Sequence, residues 1–199
     1  VSTPSVDEPG ARQRILDAAI AEFAQYGFAG ARINRIADSA RANKQLIYRY
    51  FGNKDDLYAA VMSTLVRRTR GEFAVHGLAN LFRPGEFVKA HGAAWARMLA
   101  WEGLNPPTHL IAAEERQASI QRQLDSIVEL QRNGEIDSGL DARFVLATVY
   151  AVRTIPMIMP QLMEFCFGPE LAGSDELIHL WSDFLEGLLA PADETAAAH

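Results

Sequence analysis

The sequence predicts an all-α protein, with a small N-terminal three-helix unit of helix-turn-helix layout followed by a larger helical body. Three observations carry that reading. Apolar residues recur at helical spacing in almost every long segment, and no run of alternating β-branched residues reads as a strand. Glycine, proline and capping residues punctuate the pattern at intervals that helices would fill. The formal charge of -6 is unevenly divided: residues 1–70 hold 11 Lys and Arg against 7 acids, net +4, and the remaining 8 bases face 18 acids, net -10.

The first helix is expected over about Glu8 to Tyr26, where Ile15, Leu16, Ala18, Ala19, Ile20 and Phe23 make a broad apolar face and Gly27 supplies the stop. The second is short, about Ile33 to Ala40, and its small Ala37 and Ala40 let the next helix cross closely. Asn43 can accept from the free backbone donors of a third helix, Lys44 to Phe51, which Leu46, Ile47 and Phe51 anchor inward. Lys44, Gln45, Tyr48 and Arg49 remain outside. After Gly52, Asn53 and Asp56 resemble a cap for a fourth helix running to about Phe73, with Leu57, Val61, Leu65 and Val66 as its apolar contacts. Residues 1–53 therefore read as a head, 54–191 as a body entered through a linking helix over 54–73, and 192–199 as a disordered tail.

Within the body, Pro84-Gly85 precedes a helix from about Glu86 to Trp101, and Asn105-Pro106-Pro107 breaks the chain after it. Thr108 to Asn133 is largely helical. Asp141 caps a helix over about Ala142 to Met157, which Pro156 and Pro160 should kink or terminate. The last amphipathic helix runs from about Ser174 to Leu189 and stops before Pro191.

Composition narrows the function classes. Cys166 is the only cysteine, so no intramolecular disulfide forms, a reducing intracellular setting is favoured, and the thiol reads as a small buried hydrophobe between Phe165 and Phe167. No apolar run approaches the roughly 20 residues of a membrane span, and the polar start lacks a signal-peptide core. The expectation is a cytoplasmic protein with no membrane partner. His76, His91, His109 and His179 show no metal-ligand spacing, no glycine-rich phosphate loop is present, and no nucleophile stands beside an identifiable base. An enzyme, a metal and a cofactor are accordingly not expected, and no residue is assigned a catalytic role.

The third helix points instead to DNA. A helix fits the major groove, and a helix-turn-helix sets its second helix there with the early residues near base edges. Gln45 can form paired hydrogen bonds with adenine, Lys44 or Arg49 can reach guanine or phosphate, and Tyr48 offers a ring and a phosphate-directed hydroxyl. Lys54, beside a helix N-terminus, adds a cation to a backbone anion site, and Arg32 precedes the second helix where it can grip phosphate across the groove. Any one of these taken alone is equally well a solvated surface residue. Their ordered combination carries the reading, and the acidic body helps orient the basic head toward phosphate.

Four stretches together resemble the tetracycline-repressor (TetR) family of transcriptional regulators: Arg12-x-x-Ile15-Leu16-Asp17-Ala18-Ala19, Phe23-Ala24-x-x-Gly27-Phe28, Ile36-Ala37-x-x-Ala40, and Leu46-Ile47-Tyr48-Arg49-Tyr50-Phe51-x-Asn53-Lys54-x-x-Leu57. The resemblance covers about the first quarter of the chain. It implies an all-α homodimer with a DNA-binding head and a body for ligand and dimer contacts. It also implies that Lys44, Gln45, Tyr48, Tyr50 and the phosphate-binding Lys54 touch DNA; with Arg32, Asn43 and Arg49 they complete the candidate contact set. Two departures stand out. Ala31-Arg32 occupies positions where the family commonly has hydroxyl residues, so a hydroxyl cap is lost, and Arg41-Ala42-Asn43 replaces a Gly-Val-Ser type of turn.

In the body, Trp95, Met98, Trp101, Tyr150, Arg153 and Met157 are the candidate ligand-binding residues, because aromatic and flexible sulfur side chains line adaptable apolar cavities. Each apolar member taken singly is more readily ordinary core, and Arg153 suits an anionic group, a buried acid or an interface. Phe144 to Ile155, with Leu177, Leu180, Trp181, Phe184, Leu185 and Leu188, are expected at a dimer interface. A twofold dimer implies a palindromic operator in double-stranded DNA. The leading expectation is a repressor released by a small, largely apolar effector. A DNA-binding regulator with no small-molecule ligand and an all-α enzyme are the alternatives.

Overall fold

The computed structural model describes residues 10–70, 78–82, 85–106 and 110–191, and those residues form ten helices and no strand. The order is α1 (Ala11–Gly30), α2 (Ile33–Ala40), α3 (Lys44–Phe51), α4 (Lys54–Arg70), α5 (Leu78–Phe82), α6 (Glu86–Leu104), α7 (Ala113–Arg132), α8 (Ala142–Ile158), α9 (Pro160–Phe167) and α10 (Asp175–Leu189). The expected start at Glu8, the extension of the fourth helix to Phe73 and the tail over 192–199 lie outside the described residues.

The chain divides into two compact units, Val1–Arg67 with Ala94–Ala113, and Arg68–Ala93 with Glu114–His199. The first holds α1 to α3, most of α4 and the second half of α6. Its core is built from Ile15, Leu16 and Phe23 of α1, Ile36 of α2, Ile47 of α3 and Leu57 of α4, all essentially inaccessible to solvent. Sequence patterning assigns the whole fourth helix to the body. In the structure its first four turns stay with the head, because Tyr58 packs edge-on against Phe23 at 4.9 Å and against Phe28 at 5.3 Å.

The regular course of α1 ends at Gly27 as expected: Gly27 has φ 66 and ψ 176, a non-helical conformation open in practice only to glycine, and a short further helical stretch follows to Gly30 across the kink. A Cβ built there would lie 3.0 Å from Trp101 Cδ2, and the Trp101 indole Nε1 donates to the Ala24 carbonyl at 3.3 Å. Glycine thus answers both a backbone requirement and a close approach.

The second unit packs α5 against α8 and α10. Its core joins Leu81 and Phe82 of α5, Ile127 and Leu130 of α7, Val145 and Val149 of α8, and Leu185 and Leu189 of α10. Asp141 caps α8 by accepting from Arg143 N at 2.8 Å, and Ser174 caps α10 by accepting from Leu177 N at 3.1 Å. Pro156 is accommodated inside α8. The break comes at Met159, where Pro160 begins α9 after a bend of 95°. The short α5 and α9 are not among the helices expected from sequence: α5 has only five residues, and α9 opens at Pro160, which reads as a helix breaker.

Two expectations are corrected here. Cys166 is exposed, beside Phe165 at 87% exposure, because α9 turns only Met163 inward. The apolar residues of α10 do not share one face: Leu177 and Leu185 are buried in their own unit and Trp181 is half-buried, whereas Leu180, Phe184 and Leu188 are exposed. The helical period splits the set into an inner and an outer stripe. Among the described residues no single helix is long and apolar enough to cross a membrane.

Candidate functional site

The eight residues of α3 divide as their spacing dictates. Ile47 and Phe51 are buried and Leu46 is half-buried, while Lys44, Gln45, Tyr48 and Arg49 face solvent, Tyr48 at 47% exposure. Asn43 holds the start of the helix, its Oδ1 accepting from Leu46 N at 2.7 Å. Tyr50 is half-buried and sits beside Phe51 at 6.2 Å, with the Arg49 guanidinium 5.6 Å from its ring. These contacts hold Tyr50 and Arg49 together at one edge of the outward face.

The turn between α2 and α3 keeps a left-handed residue although it lacks glycine. Arg41 has φ 50 and ψ 46, and the chain closes with Ala42 N donating to Ala37 O at 2.9 Å and Arg41 N to Asp38 O at 3.2 Å. Satisfying the last carbonyls of α2 in this way outweighs the steric cost of a side chain at positive φ.

At the start of α2 a carboxylate from another helix holds the backbone of the N-cap residue. Arg32 caps with no side-chain bond of its own, and its backbone N–H donates instead to Glu22 Oε1 at 2.8 Å. The same oxygen accepts from Arg35 Nε at 2.8 Å, Arg35 Nη2 donates to the Gly30 carbonyl at 2.9 Å, and the guanidinium lies 4.1 Å from the Tyr26 ring. Hydrogen bonding to Glu22 raises the Arg35 pKa above its ordinary value against an opposing desolvation. Glu22 is buried, and neither it nor Arg35 is among the sequence candidates. The available signal was an acid on the apolar face of the first helix, one helical turn from Ala19.

Arg32 itself is exposed. Lys54 opens α4, whose start Asn53 caps by accepting from Asp56 N at 2.9 Å. The Lys54 ammonium lies 4.8 Å from the Phe28 ring, and Asp55 and Asp56 already occupy the first turn. An approaching phosphate would find one cation and the helix end, offset by two carboxylates.

The second unit contains an apolar cavity of about 230 Å³. Phe82 of α5 and Val152, Arg153, Pro156 and Met157 of α8 form one side. Ser174, Leu177, Ile178, Trp181 and Ser182 close it from α10 and its cap. Of the six candidate ligand residues, Arg153 and Met157 line it. Tyr150 packs against the adjoining core, where burial pushes its phenol pKa up, opposed by a hydrogen bond with Gln123 and by the Arg153 charge. Trp95, Met98 and Trp101 belong to the first unit, Met98 fully buried and Trp101 seated on Gly27. Phe82 and the inner stripe of α10 were missed: the short α5 has no sequence signature, and the α10 residues were all credited to the dimer face. Among the described residues no three His, Cys, Asp or Glu side chains gather as metal ligands.

A capped, outward-facing α3 held on α1 and α2 defines a helix-turn-helix DNA-binding regulator. The chain belongs to the TetR family. Residues 15–61 match the family model described as bacterial regulatory proteins, tetR family, and residues 88–172 match the tetracyclin repressor-like C-terminal domain. It is 36% identical over 177 residues to the HTH-type transcriptional repressor SCO4008 of Streptomyces coelicolor, covering 86% of this chain and 91% of that one. It is 29% identical over 178 residues to the HTH-type transcriptional repressor Rv3405c of Mycobacterium tuberculosis, covering 89% and 88%. The transcriptional regulator SCO4942 of Streptomyces coelicolor superposes with a TM-score of 0.72 at 27% identity, covering 90% of this chain and 98% of that one. All three are named as regulators of transcription.

Proposed function

We propose that this protein is a ligand-responsive repressor that binds a palindromic operator as a homodimer and is released by a small, largely apolar molecule. The observation that carries the reading is the outward face of α3, where Lys44, Gln45, Tyr48 and Arg49 are exposed on a helix anchored by Ile47 and Phe51. Gln45 and Lys44 read base edges. Tyr48, Arg49 and Tyr50 flank them, Asn43 fixes the helix start, and Arg32 and Lys54 grip phosphate on either side. Repression follows the named function of the relative that is 36% identical. Such a regulator works where the chromosome is, in the cytoplasm.

Pairing is supported by the outer stripe of α8 and α10, where Phe144 is 75% exposed, Phe184 65%, Leu188 63% and Leu180 52%. An apolar face of that kind is costly in water and suits a twofold, self-complementary contact. The effector binds the body and favours a dimer whose heads no longer match adjacent major grooves. Both α4 and α6 run through the boundary between the two units, so either helix can carry the displacement. The effector must bind the DNA-incompetent state more tightly, and DNA must reciprocally weaken effector binding.

Selection of bound sequences from a random DNA library tests this reading, with a palindrome as the expected product. A folded Gln45→Ala, Tyr48→Ala variant should lose operator binding, and Phe184→Asp should give a monomer by sedimentation. Recovery of no sequence preference from the wild-type dimer would sink the proposal.

A further inference from the structure

We infer that the cavity in the second unit selects its ligand by size, admitting an apolar part of about two fused rings, and that Gly92 of α6, outside the cavity wall, sets that limit by backing Met157. The inference deepens the effector reading and rests on it only for the consequence at DNA.

The wall offers a ligand shape more than polarity. Both serine hydroxyls donate to backbone carbonyls, Ser174 Oγ to Leu171 O at 2.7 Å and Ser182 Oγ to Ile178 O at 2.7 Å, and Arg153 already has a partner within the protein. Phe82 and Trp181 supply flat surfaces, Val152 and Ile178 branched ones, and Met157 a deformable thioether. An apolar cavity of about 150 Å³ holds benzene. By the same proportion, about 230 Å³ has room for two fused rings and little more.

Met157 is held from behind. Gly92 is buried and lies well inside α6, where alanine is the more stable residue, and it belongs to the same unit as the cavity without lining it. A close approach accounts for the glycine: a Cβ built there would lie 3.0 Å from Met157 Cε, 3.3 Å from Met157 Sδ and 3.0 Å from Val88 Cγ1. Val88 is β-branched and sits on the same helix with little freedom to turn, whereas the Met157 side chain is unbranched and flexible. A methyl group at position 92 is therefore accommodated by the thioether, which moves off α6 into the space that it lines. The missing side chain at Gly92 becomes room for a ligand on the far side of Met157.

The test uses the full-length protein with benzene, naphthalene and phenanthrene as probes, followed by equilibrium dialysis and by the carbon-13 methyl resonance of Met157, and then against a labelled operator. Naphthalene should bind and shift the Met157 methyl, and phenanthrene should be excluded. Gly92→Ala should weaken naphthalene roughly 10-fold, the effect of about one methylene in an apolar pocket, and leave benzene nearly unchanged. Met157→Ala should admit phenanthrene, and adding Gly92→Ala in that background should change little, because the side chain that transmits the effect is gone. No naphthalene binding, an equal loss for benzene and naphthalene in Gly92→Ala, or an undiminished Gly92→Ala effect in the Met157→Ala background would each overturn the size limit. So would exclusion of phenanthrene from Met157→Ala, a result that needs no Gly92 variant to fold. A size preference that responds to Gly92→Ala while every probe leaves operator affinity unchanged would keep the limit and remove the effector reading. Operator release by subsaturating naphthalene that is the same in Gly92→Ala and wild type would do the reverse.

Discussion

Gly27→Ala should cost about 3 kcal/mol of stability, and the structure separates the causes. The residue sits at φ 66 and ψ 176, where a side chain costs about 1–3 kcal/mol in backbone strain. The added Cβ would meet Trp101 Cδ2 at 3.0 Å and both Cγ and Cε3 at 3.2 Å, so the indole must shift, at a further cost of about 1–3 kcal/mol typical of overpacking. The reduced entropy of the unfolded chain returns about 0.4–1 kcal/mol. Urea unfolding followed by circular dichroism measures the difference, provided the m-value is unchanged. Gly134→Ala is the control: it also sits at positive φ, 76, but its Cβ would meet nothing within 4 Å, so only the backbone cost of about 1–2 kcal/mol remains. Trp101→Leu combined with Gly27→Ala completes a cycle whose coupling energy isolates the indole contact. A Gly27→Ala cost no larger than that of Gly134→Ala, or zero coupling to Trp101, would show that the kink does not depend on this close approach.

Arg41→Gly should stabilise the head by about 1 kcal/mol, since the left-handed turn at φ 50 suits glycine, and a destabilised variant in thermal melts would contradict that account. Glu22→Ala should cost about 1–2 kcal/mol through the lost acceptor of Arg32 N and weaken operator binding, whereas Glu22→Gln, which keeps an acceptor oxygen, should recover part of the stability; equal losses in the two variants would refute a capping role. Lys54→Gln should weaken binding across all sequences alike and lower the salt slope of operator affinity by about one unit, and an unchanged slope would remove it from the phosphate contacts. Asp141 is held down at about 2, first by the Arg143 side chain and then by its backbone N–H, so its contribution to α8 is full above the ordinary carboxylate range and fades as pH falls toward 2; a carboxyl carbon titration by NMR with a midpoint near 4 would argue against the cap.

Much of the head was legible because its determinants are local. A cap forms between residues three apart, as at Asn43 and Leu46, and the helical period turns Ile47 and Phe51 inward while leaving Gln45 and Tyr48 outside. The same local logic located the caps Asn53 and Asp141. It located the break at Gly27 but not the close approach of Trp101, distant in sequence, that the glycine permits. It failed at Cys166, whose burial was inferred from apolar neighbours that the structure leaves exposed.

The sequence by itself determined the all-helical class, the helix-turn-helix order, the polarity of α3 and the basic head, since propensity, period and charge are properties of short stretches. Tertiary structure alone decided which residues meet. It brought Glu22 under the start of α2 to hold the Arg32 N–H, split the apolar residues of α10 between an inner wall and an outer face, and set Arg153 beside Phe82 and Trp181 around one cavity. The physical reason is that a helical period fixes how many apolar stripes a helix carries, while the neighbour that each stripe finds depends on chain segments tens of residues away.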